Sequence, residues 1–420
     1  MKLITIWVII IDINKDIEAK RLENNKNKKL NINFKHICLL LSILIALMLW
    51  GYEYKNETVI SDISTPETGS ICNKDPSEAT SENNNDINNG GAADIAEDLN
   101  HYDFVLTFAG DINFDENWST MQYYNKVTNG IYDCISPELI QMMKDADIMC
   151  INNEFTYSTG GIPLNKTYTF RAHPSRVEIL KELGVDIVSL ANNHSYDYGE
   201  QSLIDTMTTL KQAGILYYGA GHDLDEAMTP VYFEIEGKII AYVAASRAEK
   251  NKMTPQATED APGILRCYDT DLFVQTIKEA KEKSDYVIAY VHWGTEFTYE
   301  LEKVQLTTGK EYLDAGADVV IGAHPHCLQG IEYYAGKPII YSLGNFWFNG
   351  QTVDTMLLNI HFYDDNTEEL IELEIVPAIQ ANNKTTIVTE QLEKERIYSF
   401  LEDISINVNI NKMGIISEVK

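Results

Sequence analysis

The sequence predicts an α/β domain with mainly parallel strand pairing. Three observations predict it: short apolar runs recur from residue 104 onward, amphipathic stretches closed by glycine lie between several of them, and a polar cluster follows each run. The runs are Phe104–Gly110, Ala146–Asn152, Val185–Ala191, Tyr286–His292, Ala317–Ala323 and Pro338–Gly344. Each is short and apolar on both faces, as strands of a covered parallel sheet are.

The helical segments justify themselves in turn. Pro174 to Leu183 begins on proline and stops at Gly184. Glu200 to Ala213 carries apolar residues at 203, 204, 207 and 210 and stops at Gly214. Asp271 to Lys283 opens on an acid and closes on lysines, and Leu301 to Ala315 stops at Gly316. A glycine after the last turn takes the left-handed position there at no steric cost. Tyr232–Glu236 and Ile239–Ala245 flank a Glu-Gly turn and read as a hairpin. Leu357–Phe362 and Leu370–Val376 read as a late antiparallel pair, and Glu390–Glu402 as a last helix. Alternation of helix and strand makes this one α/β unit.

The 420 residues carry 33 basic and 63 acidic side chains, a net charge of −30. A surplus of acid excludes a nucleic-acid binder, since phosphate backbones recruit Lys and Arg. The charge is unevenly placed. Residues 1–36 are net +4, residues 37–52 carry no charge, and the remainder is net −34. The uncharged run ICLLLSILIALMLWGY is a little short of the roughly 20 residues that span a bilayer, and Phe34 and Tyr54 extend it. Lysines before it and acids after it place the N-terminus in the cytoplasm and the rest outside the cell. The expected organisation is a cytoplasmic tail (1–36), a single transmembrane anchor (37–54), a disordered acidic linker (55–101), a folded domain (102–380) and a C-terminal tail with one helix (381–420). Between residues 53 and 101, eleven acids face two lysines amid Asn, Ser and Thr, which suits an extended tether. An outside location permits disulfides. Cys134 and Cys150 read either as a bridge or as buried thiols, and no cysteine spacing suits a zinc site.

The chemistry sits after the strands. The runs end in Gly110-Asp111, Asn152-Asn153-Glu154, Ala191-Asn192-Asn193-His194, His292-Trp293-Gly294-Thr295-Glu296, Ala323-His324-Pro325-His326 and Gly344-Asn345-Phe346. In parallel sheets the carboxyl ends of strands share one edge, where ligands bind. Asp, Glu, Asn and His together are ligands of divalent cations such as Mn, Fe, Zn or Mg, one or two of them. Glu154 is the natural carboxylate to be shared between two cations, and His194 the natural proton donor. Pro325 with a strand-end bend can aim His324 and His326 at neighbouring metals. Arg171 reads as a fork for a substrate carboxylate or phosphate, or as a structural ion pair. Asp197 and Glu296 orient histidines or cap turns. Asn345 lines the pocket or steadies its own loop.

These motifs resemble a known family. The run Leu190–Ala227 is similar to the core signature of CapA/PgsA-type proteins of poly-γ-glutamate capsule synthesis. Gly110-Asp111, Asn153-Glu154, Tyr168–Pro174, His292–Glu296, Gly322–His326 and Gly344–Phe346 follow in that family's order. The resemblance implies a calcineurin-like metallophosphoesterase fold, a four-layer α/β/β/α sandwich rather than one sheet. It implies metal ligands at Asp111, Glu154, Asn193, His292, His324 and His326, with His194 as general acid. Where the superfamily has a histidine two residues after the first aspartate, this chain has Asn113, a weaker oxygen ligand. The implied setting is an anchored cell-surface protein acting with capsule synthase or export subunits on an anionic polymer, or on a small phosphoester or peptide. Three functions stay open: a metal-dependent hydrolase, a non-catalytic scaffold of the capsule machinery, and a general cell-envelope binding module.

Overall fold

A computed structural model of the chain describes residues 104–249, 253–364 and 369–419. The anchor at 37–54, the linker, Cys38 and Cys72 lie outside the described residues. Within those described, no helix is long and apolar enough to cross a membrane.

The main strands run in chain order as β1 (Phe104–Ile112), β2 (Ile148–Asn153), β3 (Ile187–Ser189), β4 (Leu216–Tyr218), β5 (Val231–Ile235), β6 (Lys238–Ser246), β7 (Tyr286–His292) and β8 (Val319–Ala323). They continue as β9 (Leu328–Tyr334), β10 (Lys337–Leu343), β11 (Asn345–Trp347), β12 (Val353–Asp364), β13 (Glu369–Ala381), β14 (Lys384–Ile387), β15 (Val408–Ile410) and β16 (Ile415–Glu418). The helices are α1 (Ser119–Tyr124), α2 (Pro137–Asp145), α3 (Val177–Glu182), α4 (Glu200–Ala213), α5 (Leu224–Met228), α6 (Asp271–Lys281), α7 (Lys303–Asp314) and α8 (Gln391–Asp403).

Two mixed sheets form, not one. The first has ten strands, with β15-β16-β13-β12-β1-β2-β3-β4 in order, β11 beside β1 and β14 beside β13. The second has six, in the order β9-β10-β8-β7-β6-β5. Parallel pairing holds at the centre of each: β1 with β2, β2 with β3, β6 with β7, and β7 with β8. The hairpin β5–β6 and the long pair β12–β13 are antiparallel, as the sequence predicts.

Three apolar clusters set the layers. Phe108, Cys150 and Ile187 of the first sheet meet Tyr242, Ile288 and Ile321 of the second between the sheets. The first sheet's other face packs Met149, Ile151 and Val188 against Leu139, Leu180 and Leu203 of α2, α3 and α4. The second sheet's other face packs Val243, Ala289 and Val320 against Phe273, Ile277 and Tyr312 of α6 and α7. This is why the strand runs lack polar alternation: both faces are covered. Ile321 is fully buried between the sheets. Ile321→Val is expected to cost about 0.5–1.5 kcal/mol in denaturant unfolding without altering the fold.

Local rules explain the helix bounds. Leu203, Met207 and Leu210 put one buried stripe on α4, which Gly214 closes at φ +78°. Helix α7 begins two residues later than its apolar pattern suggests, because Glu302 and Gln305 form a reciprocal capping box. The C-terminal stretch contains the expected helix and adds strands: β14 pairs with β13, and β16 joins β13 to β15. These strands have four residues or fewer, too few to show a period of two. The four cysteines of the described residues, Cys134, Cys150, Cys267 and Cys327, are buried free thiols, and Cys134 and Cys150 do not pair.

Candidate metal centre

The carboxyl ends of both sheets' central strands meet at one edge. From the first sheet come Asp111 at the end of β1, Glu154 just past β2, Asn193 and His194 past β3, and Asn345 on β11. From the second come His292, the last residue of β7, and His324 and His326 past β8. All are buried. The register supports the gathering: Asp111 sits opposite both Asn345 and Asn152 on its two neighbouring strands.

Two donor sets result, and Glu154 belongs to both. Glu154, His292 and His324 place one ligand atom each within 4.8 Å of one another, and so do Asp111, Glu154 and His326. The bend after β8 achieves the split. His324 has φ +99° and His326 φ +58°, a costly conformation for non-glycine residues. The strain turns one ring towards His292, 4.7 Å between centroids, and the other towards Asp111.

Hydrogen bonds fix the carboxylates. The Asn152 side-chain amide donates to Asp111 Oδ1 at 2.7 Å and to Glu154 Oε2 at 3.1 Å. Its nitrogen also lies 3.3 Å from His292 Nδ1. Asn192 holds Asn152 in turn, donating to its Oδ1 at 3.0 Å. Asn345 Oδ1 faces His326 Nδ1 at 2.8 Å, so Asn345 steadies a histidine. Asn193 Oδ1 lies 2.7 Å from His292 Nε2, which puts it beside the Glu154–His292–His324 set.

His194 is backed rather than free. Its Nδ1 lies 2.6 Å from Asp197 Oδ2, and its Nε2 faces Glu154 Oε1 at 3.9 Å. Asp197 also accepts the Phe170 backbone N–H at 2.7 Å, and the Phe170 ring lies 4.4 Å from that of His194. Phe348 flanks His326 at 4.5 Å, and Phe297 at 5.6 Å. These rings wall the centre with apolar surface, which strengthens the charge interactions inside.

The electrostatics match. Burial and then the neighbouring Asp111 push the Glu154 carboxyl well above the usual carboxylate range. Burial, with the crowded histidines, holds His292 and His324 well below the usual imidazole range. Burial acts the same way on His326, but the Asp111 carboxylate overcomes it and raises that ring.

The residues fit a cation. Glu154 Oε1 and His324 Nδ1 are buried with no hydrogen-bond partner among the described residues, and Asp111 Oδ2 has only its 3.2 Å contact with His326. Buried polar atoms rarely go unpaired. Unpaired buried atoms in a hard and borderline donor set are what a divalent ion satisfies.

Three expected residues stand apart. Asn113 directs Oδ1 at the Asp115 N–H, 2.8 Å away, so that oxygen is engaged. The Arg171 guanidinium stacks over Tyr198 at 4.0 Å and donates to the Gly160 carbonyl, lining a separate cleft of about 270 Å³ with Glu116 and His173. Glu296 is exposed and makes no hydrogen bond to a histidine among the described residues, though its charge helps raise the pKa of His326 and of Glu154. Sequence reasoning missed Asn152, Asn192 and Lys166. The asparagines were visible as strand-end residues, but their role as a shared donor needs the fold. Lys166 lies in a loop with no pattern.

The chain is similar to known capsule proteins. The PGA biosynthesis protein CapA of Bacillus subtilis (strain 168) is 30% identical over 290 residues, 66% of this chain and 73% of that one. The capsule biosynthesis protein CapA of Bacillus anthracis is 30% identical over 275 residues, 61% of this chain and 66% of that one. Among solved structures, the NAD nucleotidase of Haemophilus influenzae aligns at 11% identity with TM-score 0.39, over 74% of this chain and 65% of that one, too distant to bear on function. Residues 105–350, more than half of the chain and every residue of the centre, match the bacterial capsule synthesis protein PGA_cap model, and the chain belongs to that family.

Proposed function

We propose that this chain is a capsule synthesis accessory protein whose folded region, on a calcineurin-like metallophosphoesterase fold, is a divalent-metal hydrolase. Its bond is a phosphoester or a γ-glutamyl amide, and the segment 37–54 holds it at the outer face of the cell membrane beside the capsule synthase and export subunits. One observation carries the reading: Glu154 is shared by two donor sets and keeps Oε1 unpaired between them. A pair of bound cations would supply an acidified water and charge stabilisation for an oxyanion. Asp111, Glu154 and His326 would hold one cation, and Glu154, His292, His324 and Asn193 the other. Asn152 and Asn345 orient these ligands. His194, with Asp197 at its Nδ1, presents Nε2 towards the centre and delivers a proton to the leaving group.

A second reading, a scaffold without catalysis, has its own support. The Asn113 oxygen is engaged by Asp115, so the Asp111 set has one donor fewer. The two readings separate by experiment. The full chain is assayed for metal content and for hydrolysis of phosphoesters and poly-γ-glutamate, before and after chelation. The hydrolase reading expects bound Mn, Fe, Zn or Mg, activity lost on chelation and activity restored by metal. Bound metal without turnover on either substrate class supports the scaffold, and a chain that takes up no metal refutes the centre. His324→Ala is expected to lower metal content by about half, because it removes a ligand from one set only.

A further inference from the structure

We propose that Lys166 is a positioning residue for the His194–Asp197 pair. Lys166 lies in the loop between Gly161 and Tyr168, yet its side chain is only 5% exposed. A buried ammonium is costly unless its donors are met. Here all three are met: by the Asn193 carbonyl at 2.7 Å, Asp197 Oδ1 at 3.0 Å and Glu249 Oε1 at 3.1 Å. An ammonium has three donors, so none remains for a substrate.

The three acceptors belong to two segments far apart in sequence. Asn193 and Asp197 bracket His194, and Glu249 lies past β6, where the Arg266 guanidinium donates to its backbone carbonyl at 2.7 Å. Thr254 donates to the same Asn193 carbonyl at 2.7 Å. Lys166 therefore fastens its own loop and Glu249 to the turn that carries His194. Its effect on His194 passes through one carboxylate: Lys166 takes Asp197 Oδ1 while His194 and Phe170 take Oδ2. With both oxygens held, the carboxylate cannot rotate, and the imidazole keeps Nε2 aimed at Glu154. A compact three-donor ammonium suits three converging oxygens, and a planar guanidinium does not.

The test reads the His194–Asp197 hydrogen bond directly, and only its kinetic arm rests on the hydrolase reading. Proton NMR of the full chain is expected to show a low-field imidazole N–H resonance that His194→Gln removes. Lys166→Met is expected to abolish or shift that resonance with metal content at the parent level. It should also lower kcat about 100-fold with KM within about twofold, the scale of one proton-transfer group. An unchanged resonance in folded Lys166→Met overturns the proposal. If Lys166→Met fails to fold, Lys166→Arg carries the same expectation, and failure of both to fold overturns it. A resonance lost on substitution in a chain with no hydrolytic activity supports the positioning role and refutes the hydrolase reading.

Discussion

Glu154→Gln is expected to abolish binding of both metal ions, in contrast to the partial loss from His324→Ala. The substitution keeps size and shape, and replaces a carboxylate that belongs to both donor sets with a neutral amide. Even partners that only orient metal ligands are worth roughly 10–100-fold in affinity, so losing a shared ligand should exceed about 100-fold at each site. Metal analysis after dialysis checks this. The same variant should also raise the stability of the metal-free chain. Burial and Asp111 raise the folded pKa of Glu154 above 4.5, so over that interval the folded state binds more protons than the unfolded one. Stability from this group then falls as pH rises from about 4.5 through the raised pKa. The glutamine variant lacks that dependence. Its advantage over the metal-free parent should widen with pH and vanish when metal is restored to the parent. Denaturant midpoints with chelator at several pH values measure it. An advantage that narrows as pH rises would show that Glu154 is not the strained group. Because His292 and His324 are already held neutral by burial, protons released on metal binding should come from Glu154 and His326.

The site was more legible in the sequence than the architecture around it. Strand-end residues announce themselves: a run such as Tyr286–His292 is apolar to its last position, and a histidine there has no packing reason. What the strands could not show is that they belong to two sheets. Both sheets are covered on both faces, so β2 of one and β7 of the other read alike. Contacts such as that between Phe108 and Tyr242, six ångströms apart by ring centroid, reveal the second layer. The division of labour between His324 and His326 was expected from a bend at Pro325, but the form of the bend was not visible. It depends on two positive φ angles, and histidine gives no sign of them as glycine would. Lys166 was hidden because its partners lie at residues 193, 197 and 249, and no spacing rule links them. Arg171 shows the converse. Its guanidinium, read as a substrate fork or a structural ion pair, stacks over Tyr198 and donates to the Gly160 carbonyl.

Gly110→Ala is expected to cost more than about 4 kcal/mol and to take the metal centre with it. Nothing about the backbone angle of Gly110 demands glycine; the demand comes from a crossing. A Cβ there would stand 1.9 Å from the Gly344 carbonyl oxygen and 3.0 Å from that of Leu343. Both are backbone atoms, so no side chain can swing aside to relieve the clash. Gly344 cannot retreat either: it has φ +66°, and its own missing Cβ faces Cys327 and Leu328 backbone at 3.0 Å. The crossing matters because the site is built across it. The Asp111 N–H donates to the Gly344 carbonyl at 2.9 Å, and Asp111 pairs in register with Asn345. Forcing the strands apart moves Asp111 away from Asn345, and Asn345 away from His326, so one donor set opens even if the chain still folds. Unfolding midpoints and metal content should therefore fall together in Gly110→Ala. Ile321→Val, which lies on the same sheet-to-sheet core but away from the crossing, should lower stability alone. A stable Gly110→Ala protein with full metal content would show that β1 and β11 can separate without cost, and that the approach of these two glycines does not hold the centre together.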